Sequence, residues 1–175
     1  MSMTARTLAR TATAIATVAG ALALTACSPT VTLTAAPEAN DPACAEVTVR
    51  LPESVSGFPR IQTDAQATGA WGDDGDARIL LHCGVPELAP TTDRCVDVDG
   101  IDWVIDESEA PYYRLTTYGR SPAVEVYLDG DTKDGEEPFS STAVIVDLNS
   151  AVGQIPATGG CVGAEDLFGT ETDGS

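Results

Sequence analysis

The chain has 175 residues, is 43% hydrophobic and 5% aromatic, and carries 9 basic against 27 acidic residues for a formal charge of −18. That length holds one domain with one sizeable core. The acidity excludes a nucleic-acid binder, whose phosphate contacts demand clustered Lys and Arg, and a mean hydropathy of +0.01 argues against a polytopic membrane protein.

Arg6 and Arg10 precede an uncharged run, Thr11–Leu24, rich in Ala, Val, Ile and Leu. The run is shorter than the roughly 20 residues a transmembrane helix needs and has the size of a signal-peptide core. It ends on Leu24-Thr25-Ala26-Cys27, small residues before a cysteine, which is similar to the lipobox of bacterial lipoproteins. Residues 1–26 are therefore expected to be a lipoprotein signal peptide, with Cys27 as the lipidation site. The expected location is the outer face of the cell membrane, reached through the lipid on Cys27. No adjacent Arg pair is present, so export through the general secretory route is expected. Removing residues 1–26 takes away Arg6 and Arg10 and no acid, leaving 7 basic and 27 acidic residues.

Residues 27–42, with three prolines and no amphipathic period, are expected to be a flexible tether with a reach of roughly 20 Å. A globular domain is expected over 43–167, and residues 168–175 are expected to be a disordered tail.

Within the domain, Cys44–Leu51 reads as a short helix that Pro52 stops. Arg78–Cys83 reads as a strand with Ile79, Leu81 and Cys83 on one face and Leu80 and His82 on the other. Cys95–Val98 and Ile101–Ile105 flank Asp99-Gly100, which supplies the positive φ angles of a hairpin turn. Tyr112–Tyr118 and Ala123–Leu128 form a second strand pair joined through Gly119-Arg120-Ser121-Pro122. Val124, Val126 and Leu128 face the core, and Glu125 and Tyr127 face out. Thr142–Val152 reads as a final helix capped near Ser140 or Ser141, although Val144-Ile145-Val146 is also strand-like. The expected class is α+β: a small antiparallel sheet built from hairpins, with one to three short helices, stapled by disulfides.

With Cys27 set aside for lipid, Cys44, Cys83, Cys95 and Cys161 remain, an even number that predicts two disulfides in an exported chain. Three connectivities are open, and loop-closure entropy does not choose among them. Zinc is the rival reading, but the chain has no CxxC pair and a single histidine, His82.

His82 is also the only imidazole available for nucleophilic catalysis, and it lies mid-strand beside a cysteine. Asp129, Asp131, Asp134 and Gly135 approach the start of an EF-hand loop. Lys133 stands at a ligand position, the glycine comes one place late, and the twelfth-position Glu is missing. Solvated turns account equally for Asp73-Asp74-Gly75-Asp76 and for Asp97 with Asp99. Ile155–Gly159 is similar to a sortase sorting motif but lacks the hydrophobic span and basic tail that such a signal needs. Trp71 and Trp103 could form a carbohydrate platform, yet Trp103 alternates in phase with Ile101 and Ile105, as a core residue does.

Several segments taken together resemble one family. They are Cys44 with Leu51-Pro52, Ala70-Trp71-Gly72, Leu81-His82-Cys83-Gly84-Val85-Pro86, Val98–Trp103 and Thr116–Val126. Their order and spacing resemble the DUF3515 family of actinobacterial secreted proteins and lipoproteins. The resemblance brings no established activity, and it implies an envelope role. It matches Cys44 and Cys83 to the family's cysteine pair, which leaves Cys95 to pair with Cys161. It also implies that Arg is the usual occupant where this chain has His82, which speaks against a general base there.

The expectation is thus an extracytoplasmic binding or accessory module acting on an envelope protein. No catalytic residue, metal or cofactor is expected, and Arg120 is the first candidate recognition residue, with a structural salt bridge as its rival role. The alternatives are a cell-wall polymer hydrolase using carboxylates and a calcium-binding envelope protein.

Overall fold

The computed structural model describes residues 29–131 and 140–161. The expected signal peptide, Cys27, the tail 168–175 and most of the EF-hand-like stretch lie outside the described residues. The strands are β1 (Thr30–Val31), β2 (Ser54–Val55), β3 (Phe58–Thr63), β4 (Thr68–Asp73), β5 (Asp76–Val85), β6 (Arg94–Val98), β7 (Ile101–Asp106), β8 (Tyr112–Thr117) and β9 (Ala123–Asp129). The helices are α1 (Pro42–Thr48) and α2 (Ser141–Val152).

The strands form a single sheet in the order β1-β3-β4-β5-β9-β8-β7-β6, with β2 paired to β3. Every pair is antiparallel except β1 with β3, which is parallel. The sheet is therefore mixed, and with nine strands it is not small. Among the described residues no helix is long and apolar enough to cross a membrane.

The hairpins follow from local chemistry. Asp99 and Gly100 take φ of 50° and 81° between β6 and β7, and Asp74 and Gly75 take 52° and 86° between β4 and β5, as tight two-residue turns require. Alternation then sends Ile79, Leu81, Cys83, Val124, Val126 and Leu128 into the core.

Helix α2 settles the ambiguity at Val144-Ile145-Val146. The Ser140 side chain accepts a hydrogen bond from the Ala143 N–H, and Val144, Ile145, Leu148, Ala151 and Val152 are buried at helical spacing. Helix α1 starts on Asp41, whose carboxylate accepts from the Ala43 N–H at 2.8 Å, with Pro42 in the first turn. Trp71 and Trp103 are both fully buried, so neither forms a carbohydrate platform.

Strands β3 and β4 carry weak local signals. β3 holds Pro59, and β4 holds Gly69 and Gly72, all poor strand formers. Gly69 is needed because a Cβ there would stand 2.7 Å from the Trp71 indole. The register shifts between Trp71 and Gly72, where the strand bulges.

The expected flexible tether is replaced, from Thr30 onward, by a strap laid across the sheet. Thr30 and Val31 pair with Gln62 and Thr63. The Leu33 N–H donates to the Asp64 carboxylate at 2.9 Å and holds its pKa below the usual value. The Glu38 N–H donates to the Gly84 carbonyl at 2.9 Å, and Ala39 is buried. Gly84 has φ of 98°, and any side chain there would collide with the Glu38–Ala39 backbone. The folded unit therefore begins well before residue 43.

Candidate functional site

One face of the sheet packs against α1 and α2, and the opposite face carries the polar side chains. The register aligns them in rows. One row runs Thr68, His82, Glu125, Thr116, Val104, Cys95 across β4, β5, β9, β8, β7 and β6. The next runs Leu80, Tyr127, Arg114, Asp106.

Tyr127 of the second row stacks on Tyr112 of β8, with ring centroids 6.2 Å apart and planes 8° apart. The Arg114 guanidinium lies over Tyr127, 5.2 Å from its centroid, and reaches Glu125 at 3.2 Å. Burial, with help from Asp129, pushes the Tyr127 phenol above its ordinary pKa. Arg114 is thus preorganised by an aromatic plane and a carboxylate.

The connection from β5 to β6 passes over this face. Leu88, Pro90 and Thr91 wall a cavity of about 400 Å³ whose floor includes Val104, Arg114, Thr116 and Glu125. A second cavity of about 530 Å³ continues from it, sharing Pro90, Thr91, Asp93 and Val104, and reaches Asp97, Tyr118 and the Cys95–Cys161 pair. The two form one groove over the β6–β9 half of the sheet. It offers hydroxyls from Thr91, Thr116 and Tyr118, carboxylates from Asp93, Asp97 and Asp106, and a short apolar wall. Such a surface suits a polar or basic ligand and repels an anionic one.

His82 is half-buried beside Glu125, and its Nδ1 has no hydrogen-bond partner. Burial lowers its pKa below 6.5, with Glu125 opposing. Its cross-strand neighbours are Glu125 and Thr68, and the Thr68 hydroxyl is already engaged by Thr63 and the Ala65 carbonyl. The immediate neighbours therefore provide an ion-pairing carboxylate and a committed hydroxyl, which is not a triad.

Arg120 corrects the expectation of a recognition residue. It is 6% exposed, and its guanidinium donates to the Gly100 carbonyl at 2.9 Å and to the Ile155 carbonyl. A side chain held inward by two carbonyls cannot present its charge to a partner. The sortase-like stretch is packed beside it: Ile155 is buried, and the Thr158 N–H donates to the Gly119 carbonyl at 2.7 Å.

The structure joins Cys44 to Cys83, with Cα atoms 5.5 Å apart, and Cys95 to Cys161 at 6.4 Å. This is the pairing that the resemblance implies. Cys95, Asp102 and Cys161 cluster within 4.8 Å. The two sulfurs are bonded to each other, and the Asp102 carboxylate accepts the Cys161 N–H at 2.8 Å, so the cluster ties down the C-terminal segment. At the start of the EF-hand-like stretch, the Arg78 guanidinium takes the Asp129 carbonyl at 3.1 Å and also the Asp131 carbonyl. These are main-chain oxygens, whereas an EF-hand takes side-chain carboxylates at its first and third positions, and here the Asp129 carboxylate accepts the Asp131 N–H at 2.9 Å.

The aligned rows were beyond sequence reasoning. Each residue shows only as an outward position of its own strand, and the register between hairpins brings His82, Glu125, Thr116 and Arg114 together.

No curated protein and no solved structure matches the chain. A family model does, described as DUF3515, a protein of unknown function, over residues 8–157. That match spans most of the chain, and the chain belongs to the DUF3515 family.

Proposed function

We propose that this protein is a lipid-anchored extracytoplasmic module that binds a protein partner of the cell envelope and catalyses no reaction itself. The observation that carries the reading is the pair of disulfides. Such bonds persist in oxidising compartments outside the cytosol, and they use every cysteine except Cys27. The remaining thiol follows a basic start and an apolar run of signal-peptide size. Two acyl chains on it give stable anchoring where one gives only marginal binding.

The polar groove over β6–β9 supports the binding role, because it holds the preorganised Arg114 and several unburied carboxylates on a rigid sheet. The surroundings of His82 favour a binding surface over a hydrolytic site.

Two measurements test this. Globomycin should make an unprocessed, diacylglyceryl-modified precursor accumulate, and Cys27→Ala should release or misprocess the protein. Processing insensitive to both would overturn the anchor. Crosslinking in living cells, followed by mass spectrometry, should enrich an envelope protein over an unrelated lipoprotein control, and charge reversal at Arg114 should reduce that enrichment. No enrichment over the control counts against the module.

A further inference from the structure

The N-terminal strap fixes where the chain enters the folded domain. Only Ser28 separates Cys27 from Pro29, and two residues span at most about 7 Å. Pro29 is not free to swing. Thr30 and Val31 are paired along the open edge of β3, and Pro29 lies against the β4–β5 turn, where a Cβ on Gly75 would stand 3.1 Å from it.

Resting on the reading of Cys27 as the lipid anchor, we propose that the corner formed by β1, β3 and the β4–β5 turn is the membrane-facing surface, fitted to zwitterionic phospholipid headgroups. The short link holds this corner at the bilayer, where a tether of 15 free residues would allow roughly 20 Å of wandering.

The chemistry of the corner suits that occupant. Pro29, Pro59, Arg60, Ile61, Gln62 and Asp74 contribute to a groove of about 460 Å³, in which Arg60 is the one cation among the lining residues. The Arg60 guanidinium donates through one nitrogen to the Leu51 carbonyl at 3.3 Å and offers its other N–H groups to headgroup phosphate, and the exposed Asp73 and Asp74 of the turn face the headgroup ammonium. An anionic headgroup lacks that ammonium and meets the same acids with repulsion.

The sheet order places the partner groove at the far side. From β1 to β6 there are seven strand-to-strand steps, about 34 Å along the sheet at ~4.8 Å each. The groove beside the Cys95–Cys161 disulfide is thereby kept clear of the bilayer.

The test uses the mature protein purified from membranes, placed in phosphatidylcholine vesicles that carry a photoactivatable headgroup. Adducts mapped by mass spectrometry should concentrate on residues 59–62 and 72–76, several-fold above residues 90–97. A Gly-Ser insertion of about 12 residues between Ser28 and Pro29, with a reach of roughly 19 Å, should even out that pattern. Material that floats with the vesicles and carries the acyl mass, yet labels evenly without the insertion, overturns this orientation alone. Material that neither floats nor carries the acyl mass overturns the anchor, and the orientation with it.

Discussion

At Arg120 a buried guanidinium does the work of a short strand. It holds the carbonyls of Gly100 and Ile155, joining the β6–β7 turn to the chain after α2. Hydrogen bonds to a charged group are each worth about 1.5–3 kcal/mol, so Arg120→Ala should cost about 3 kcal/mol or more in urea unfolding under oxidising conditions. Arg120→Lys should recover only part of this, because one ammonium cannot reproduce the planar fork. His82 makes a different prediction. Its pKa is lowered by burial, so the unfolded chain takes up the proton first as pH falls. The stability it contributes is complete above the unfolded value of about 6.5 and is lost as pH drops through the lower folded value. Thermal melts should show His82→Gln losing less stability than the native chain between pH 7.5 and pH 5.

Among the elements, the two disulfides have unequal surroundings. Cys44–Cys83 is fully buried between α1 and β5, whereas Cys95 and Cys161 are both partly exposed at the outer sheet edge. Both close loops worth about 4 kcal/mol in the chain-entropy model, so access rather than loop length should separate their reduction. Under graded reductant at neutral pH, Cys95 and Cys161 should be alkylated first. Cys44 and Cys83 should follow only when the domain unfolds. The hairpins β6–β7 and β8–β9 were legible from alternation and turn residues, whereas α1 was legible only in part: it runs Pro42–Thr48 rather than Cys44–Leu51, and three residues separate its end from Pro52. β1, β3 and β4 were not legible, because Thr30–Val31 is too short to show a period and the others are interrupted by proline and glycine. Their strand state comes from the neighbours they pair with.

Over the whole molecule, the order of strands separates two features. The edge at β1 and β3 carries the N-terminal strap, and the edge at β6 carries the groove and the more exposed disulfide. The strongly acidic body would keep a loosely tethered domain away from anionic surfaces. In the proposed orientation the strap removes that freedom, and the short link to Cys27 sets how the domain faces the bilayer.

The sequence by itself determined the local features: which strand faces point inward, where the hairpins turn, and that the last helix is capped near Ser140. These depend on φ preferences and side-chain alternation within a few residues. Only the tertiary structure decided that Arg120 lies inside, that residues 30–39 form a strap, and that His82, Glu125 and Arg114 share one face. Each of those outcomes depends on pairing between segments distant in the chain, and local periodicity says which face a residue takes but not which strand becomes its neighbour.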